Sequence, residues 1–422
     1  MPQQAQTQEL PDFSDLELQK GPDEKQIPVP EPGPEQQVEK PVQAEKPFQT
    51  EQKPVTPEQK PEQPTQEAEK PVQTEKKPSL SPTNQIPEQN LKSVTHNAKL
   101  KEEVAHYQKL FDELRYEVSK VVVGQTDILN AMLEAIIANG HCLVEGIPGI
   151  AKTLLLRCLA TVTGCEFKRI QFTPDLLPTD IIGVTAYEES KGFYTVKGPI
   201  FANFVLGDEI NRAPPKVQSA LLEGMQEKQV TIGKTSFPLP HPFFVMATQN
   251  PIEQMGTYPL PEAQIDRFIY KIVMTYPNME DEQKIMKQNI SLKRFEDFHL
   301  APVMKPEDLV ILQNDVKKIY LDPKIEKYIV RLVDATRNPK RYNLELGKYV
   351  EFGSSPRASI SLFIASKAHA LIAGKTYVTP QDIKSVAHNI FRHRMILNYE
   401  GQAEGIKTDD IVKELLSKVP VV

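Results

Sequence analysis

A chain of 422 residues with a formal net charge of −6 and three cysteines is long enough for two or three domains. About 17 acids against about 9 bases put the first ninety residues near −8, which leaves the remainder near +2 and without the bulk electrostatic signature of a nucleic-acid binder. Cys142, Cys158 and Cys165 show no CxxC pairing, which argues against a disulfide frame or a zinc site, and no apolar run approaches the ~18 residues that a membrane span needs.

The amino terminus, MPQQAQTQEL, lacks the basic and apolar regions of a secretory signal, so a cytoplasmic protein is expected. About 17 of the 37 prolines fall in the first ninety residues, where EKPVQAEKPFQTEQKP and EKPVQTEKKP repeat one pattern. With only Phe13 and Phe48 as aromatics, this segment cannot bury enough apolar surface to offset the entropy of ordering. A disordered tail over residues 1–92 is expected, acting as a solvated spacer or as a docking arm.

Beyond it, Val104, Tyr107, Phe111, Leu114, Val118 and Val121 fall at helical spacing. That helix leads into VVVGQ (121–125), and a second follows through Ile128, Met132, Ala135 and Ile136. Next come a short apolar strand, HCLVEG (141–146), a Gly-rich turn, a helix over 154–164 and a strand EFKRIQF. Residues 183–198 alternate as a hairpin around a polar turn ending in Lys191-Gly192. A buried strand (201–210), a helix (217–228) and a strand (241–251) complete the set. Strands alternating with helices indicate an α/β domain with a mainly parallel sheet. After about residue 278 only helical periodicity remains, with Ser, Thr or Pro at several helix starts, which predicts a small all-α domain.

Five motifs carry chemistry. Gly146-Ile147-Pro148-Gly149-Ile150-Ala151-Lys152-Thr153 lies between a strand and a helix, where backbone N–H groups can wrap phosphates. Lys152 would neutralise the outer phosphates and Thr153 would ligate Mg²⁺. Ala151 stands where the general pattern has a second glycine, and alanine is the least costly substitute there. About 55 residues later, FVLGDEIN ends an apolar strand in Asp208 and Glu209, one carboxylate for the Mg²⁺ shell and one to orient and deprotonate water. Asn250 ends FFVMATQN and could hold the attacking water or the γ-phosphate, or serve as a turn-former before Pro251. Arg267 in PEAQIDRF could form a surface pair with Asp266 or Glu262, or act on a neighbouring subunit's γ-phosphate. Arg357 in GSSPRAS could touch the same nucleotide from the other side.

The order of these motifs resembles the MoxR family of AAA+ ATPases. The matching stretches are VVVGQ, LVEGIPGIAKT, VKGPIFANFVLGDEINRAPPKVQSALLEGMQEKQVTI, FFVMATQNPIEQMGTYPLPEAQIDRF, GSSPRASISL and RHRMILNYE, spread over residues 97–422. The resemblance implies a five-stranded parallel sheet sandwiched by helices, a hairpin inserted at the second helix, and a helical lid. The expected domains are a core over 93–278 and a lid over 279–422. By the same resemblance Lys152 and Thr153 match Walker A, Asp208 and Glu209 Walker B, and Asn250 sensor 1. Arg267 matches the arginine finger and Arg357 sensor 2. Val123, Gly124 and Gln125 fall where the family contacts adenine, and Leu154 follows the loop as a further nucleotide contact. Ala151 is usual in this family's loop, whereas Gly207 stands where alanine is frequent.

The implied activity is Mg²⁺-dependent ATP hydrolysis in a ring of identical subunits, a hexamer by family likeness. It would drive chaperone-like remodelling with a von Willebrand factor A-domain partner. Two other readings stay open: a DNA-associated motor, and a nucleotide-gated scaffold with little turnover.

Overall fold

The computed structural model describes residues 88–190, 192–251, 256–288 and 294–421. The tail expected over residues 1–92 lies outside these as far as residue 87, and Lys191 of the hairpin turn lies outside them too. Residues 88–92 open the helix α1 (Glu88–Ser119). Its apolar residues Val104, Phe111, Leu114 and Val118 are buried, as their helical spacing demands.

In chain order α2 (Thr126–Ile137), β1 (Cys142–Gly146), α3 (Lys152–Val162), β2 (Phe167–Gln171) and α4 (Pro178–Ile182) follow. The hairpin β3 (Gly183–Glu188) and β4 (Gly192–Lys197) comes directly after α4, pairing Thr185 with Thr195 and Tyr187 with Phe193. Then come β5 (Phe204–Asp208) and α5 (Pro215–Glu227). A second hairpin, β6 (Gln229–Ile232) and β7 (Thr235–Pro238), was not expected. Its signal was present: QVTI and TSFP flank Gly233, whose φ is +63°, the turn conformation that glycine adopts without strain.

The core ends with β8 (Phe244–Gln249), α6 (Glu262–Ile265) and β9 (Tyr270–Met274). Five strands form one sheet in the order β2-β5-β8-β1-β9, each pairing parallel. Both faces are covered. Leu143, Val205, Val245 and Ala247 pack on one side, and Val144, Leu206 and Met246 on the other. Such strands read as continuous apolar runs. Gly207 fits this crowding, because a Cβ there would come 3.0 Å from Leu221 and 3.2 Å from Phe172. The departure from alanine is thus matched by the packing around it.

After β9 the helical C-terminal part that includes the lid runs through α7 (Met279–Gln288), α8 (Pro306–Asp315), α9 (Pro323–Arg337), β10 (Val350–Phe352), α10 (Pro356–Ile372), α11 (Pro380–Phe391), β11 (Ile396–Leu397), α12 (Tyr399–Ala403) and α13 (Thr408–Lys418). Among the described residues it is helical but for the antiparallel pair β10–β11 and a parallel bridge between Tyr320 and Tyr377, both too short to leave an alternating pattern. Caps start the long helices: the Asp322 carboxylate accepts the Lys324 N–H at 2.8 Å, and Asp382 accepts the Thr379 N–H at 2.7 Å. Among the described residues no helix is long and apolar enough to cross a membrane.

One apolar cluster runs from α1 and α2 through the sheet into the lid as far as Val419. Polar ties fix the two parts where they meet. Glu134 on α2 accepts from the Tyr270 hydroxyl at 2.7 Å and pairs with His369 of α10 at 2.7 Å; that hydrogen bond raises the His369 pKa. Arg392 donates to the Lys271 carbonyl at 2.6 Å and forks onto Asp409 at 2.8 and 3.0 Å. Burial alone would raise the Asp409 carboxyl, but hydrogen bonds from His388 and Arg392 hold it well below the usual carboxylate range. His393 meets the Phe268 carbonyl at 3.0 Å.

His141 precedes β1 and is buried. The Val245 N–H donates to its Nδ1 at 3.1 Å, which leaves Nε2 to donate to the Met225 carbonyl at 3.1 Å. The ring is therefore neutral, and burial pulls its pKa down to about 4. In the unfolded chain it takes a proton near pH 6.5. Between those values the unfolded state binds more protons, so His141 contributes stability that is lost as pH falls from about 6.5 to about 4, on the order of 3 kcal/mol in all. In His141→Gln the stability lost between pH 7 and 4.5, read by urea denaturation, should be correspondingly smaller than in the wild type. Parallel curves for the two proteins would show that His141 does not carry this linkage.

Candidate nucleotide site

The phosphate loop joins the carboxyl end of β1 to the amino end of α3, the junction where free backbone N–H groups and the helix dipole meet. Gly149 has φ +83° and Ala151 has φ +66°. The second is a left-handed conformation that costs an alanine roughly 1 kcal/mol, so the loop's geometry is enforced by its surroundings. Lys152 folds back over the loop and donates to the Gly146 carbonyl at 2.6 Å. Val123, Gln125, Pro148, Gly149, Ile150, Ala151 and Leu154 line a cavity of about 380 Å³ that Tyr276, Pro277 and Phe298 also border. Gly124 borders the adjoining cleft with Asp281, and Thr153 faces a separate cavity shared with Arg169.

Asp208 and Glu209 sit at the carboxyl end of β5, at the same end of the sheet as the loop, since Gly207 pairs with Ala247 and Ala247 with Leu143 in parallel register. β8 lies between β5 and β1 and supplies Thr248, a residue the sequence reading missed. Its fully buried hydroxyl donates to Asp208 Oδ1 at 2.6 Å and accepts the Glu209 N–H at 2.9 Å. That contact supports Glu209, whose φ is +57°. Asn250, two residues on, is also buried at the same edge.

Strand β2 supplies two more residues that were missed. Arg169 donates Nε and Nη2 to Asp208 Oδ2 at 3.1 and 2.7 Å. Gln171 accepts from Arg169 at 2.6 Å and donates to Glu209 Oε2 at 2.8 Å. Arg212 closes the network, 3.0 Å from the same Glu209 oxygen. The alternation of Arg169 and Gln171 about the buried Ile170 puts them on one face of an edge strand. The Thr153 hydroxyl and the Asp208 carboxylate are hard oxygen donors, a set that suits Mg²⁺ rather than a softer metal.

Arg267 and Arg357 stand elsewhere. Both line a cavity of about 280 Å³ together with His141, Asp266 and Arg394. Arg267 precedes β9, and Gly146 is level with Met274 at the far end of that strand. Four residue steps of strand, about 13 Å at ~3.3 Å each, separate the two levels. Arg267 donates to the Leu222 carbonyl at 3.2 Å, and Arg357 lies 3.8 Å from Asp266. The lid seats Arg357 beside Arg267, at the opposite end of the sheet from the phosphate loop of its own chain.

The Thr248 contacts predict a stability effect without any ligand. Thr248→Val keeps the shape but strips Asp208 Oδ1 and the Glu209 N–H of a buried partner, so urea denaturation should report a loss of about 2–3 kcal/mol. A loss below ~0.5 kcal/mol would show that this hydroxyl does not hold the strand tip.

Comparison with known proteins agrees with this architecture. The family model "ATPase family associated with various cellular activities (AAA)" matches residues 141–270, and the model "AAA lid domain" matches residues 346–415. Chaperone MoxR1 of Mycobacterium tuberculosis is 45% identical over 307 residues, covering 72% of this chain and 80% of the relative. Protein MoxR of Methylorubrum extorquens is 30% identical over 323 residues, covering 72% and 93%. A crystal structure from Cytophaga hutchinsonii superposes with a TM-score of 0.72 at 48% identity, covering 79% of this chain and 99% of that one. With the phosphate loop, the acidic strand tip and the lid in the arrangement described, the chain belongs to the MoxR family of AAA+ ATPases.

Proposed function

We propose that the chain hydrolyses Mg²⁺-ATP at sites completed by a neighbouring copy of itself in a ring, hexameric by family likeness. One observation carries the reading. Arg267 and Arg357 line a cavity with His141 at the amino end of β1, while the phosphate loop leaves that strand's other end. Charge stabilisation by these arginines therefore calls for a second subunit, as in arginine-finger catalysis.

In this reading the N–H groups from Gly146 to Thr153 cradle the phosphates and Lys152 bears on the β- and γ-oxygens. Thr153 and Asp208 would hold Mg²⁺, which neutralises charge developing on the phosphates. Glu209, fixed through its N–H by Thr248, orients a water and takes its proton, and Asn250 holds the same water from the next strand. Val123, Gly124 and Gln125 meet the adenine. Hydrolysis changes what the arginine pair touches, and the lid that carries Arg357 moves with it.

The work done is proposed to be remodelling of a protein partner, since one relative is named a chaperone; a partner carrying a von Willebrand factor A domain follows from the family likeness alone. Three buried free thiols suit a cytoplasmic setting.

Phosphate release and nucleotide binding test the roles separately. Glu209→Gln should bind ATP within about 3-fold of the wild type and lose 10²-fold or more in kcat, roughly the effect of removing a general base. Arg267→Ala should also keep nucleotide and lose a comparable factor in kcat. Wild-type turnover by Glu209→Gln would remove it as the base, and loss of nucleotide by Arg267→Ala would place that arginine in its own chain's pocket.

A further inference from the structure

We propose that Asp266 is a positioning residue for hydrolysis in the neighbouring subunit: it sets Arg357 of the lid in register with Arg267 of the core. The proposal rests on the shared-site reading above. The two arginines come from elements ninety residues apart in sequence, and nothing local to either one fixes their spacing. Asp266 adjoins Arg267 in the chain, and its carboxylate reaches the lid through both oxygens. Oδ1 accepts from Arg394 Nε at 2.7 Å. Oδ2 accepts the Ser355 hydroxyl at 2.8 Å and lies 3.8 Å from Arg357 Nη1.

Arg394 makes this anchor stiff. Its side chain is 2% exposed, and its guanidinium also donates to the carbonyls of Phe268 at 2.6 Å, Ile269 at 3.1 Å and Ile390 at 2.7 Å. A cation so enclosed needs a counter-charge. Among the described ion pairs Asp266 supplies it. Ser355 caps α10, accepting the Arg357 N–H at 3.2 Å, so the serine bound to Asp266 also starts the helix that carries Arg357. Arg267 keeps its own tie to the Leu222 carbonyl. The carboxylate thus joins a fixed core arginine to a lid arginine through a helix cap, and loss of its charge would let the lid arginine drift.

A merely structural role is separated from this one by mixing subunits. Asp266→Asn should bind ATP within about 2-fold of the wild type, because its own phosphate loop lies at the other end of the sheet, and should lose roughly 10-fold or more in kcat with KM little changed. Its loop and acidic pair are intact, whereas Glu209→Gln chains have a defective acidic pair and intact arginines. Mixed one to one in a head-to-tail ring, the two make about a quarter of the interfaces productive, so activity should return to about that share of the wild type. Arg267→Ala mixed with Glu209→Gln is the control. Failure of the control would overturn the shared site itself. Recovery in the control with none for Asp266→Asn, or wild-type turnover by Asp266→Asn alone, would overturn the role of Asp266. Should Asp266→Asn fail to fold, Ser355→Ala carries the same assay: a several-fold lower kcat that is complemented by Glu209→Gln supports the proposal, and an unchanged or uncomplemented kcat rejects it.

Discussion

A parallel sheet has two chemically different ends, and the residues of the candidate site are divided between them. Every strand of the β2-β5-β8-β1-β9 sheet runs the same way. The loops leaving the carboxyl ends therefore gather on one edge: the phosphate loop after β1, the acidic pair closing β5, and Asn250 after β8. The segments entering the amino ends gather on the other: His141 before β1 and Asp266-Arg267 before β9. No rotamer choice moves an arginine from one end to the other. The separation is a property of topology, and the proposed shared site rests on it.

The amino-end edge is also where the lid is fastened. Arg392, His393 and Arg394 are consecutive, and each meets a backbone carbonyl of the segment leading into or forming β9. These carbonyls lie where the chain enters the sheet, and so they are open to donors from outside the ladder. The clamp is polar and largely buried. Burial pulls the His393 pKa well below its ordinary value and brings the Arg394 pKa down to about 10. Buried charged groups of this kind add little net stability relative to apolar packing, and here all three side chains are held by backbone carbonyls of one segment. The apolar cluster shared by core and lid supplies cohesion, and the clamp supplies angle.

Much of the site was legible in the sequence because its signals are local. A strand, a Gly-rich turn and a Lys-Thr helix start occupy one short stretch. The Asp208-Glu209 pair ends an apolar run. What escaped depends on strands adjacent in space and distant in the chain. Thr248 matters because β8 lies between β5 and β1, and Arg169 and Gln171 because β2 flanks β5; neither adjacency is written in spacing. Which end of the sheet Arg357 meets is likewise not written in a helix-opening arginine. The hairpin β6–β7 was readable from Gly233 and its flanks and was passed over, whereas the pair β10–β11 was too short to see. The Ala151 loop position, a blemish against the general pattern, is a residue held at φ +66°, where a Cβ costs little enough to be carried.

The central claim is that one folded chain holds two halves of different sites. The dependence of turnover on chain concentration tests it most directly. Phosphate release per chain, measured alongside light scattering over a dilution series, should climb as subunits associate and level off once assembly is complete. A specific rate that stays constant down to concentrations where scattering reports only single chains would contradict it, because a lone chain would then carry every group that hydrolysis needs.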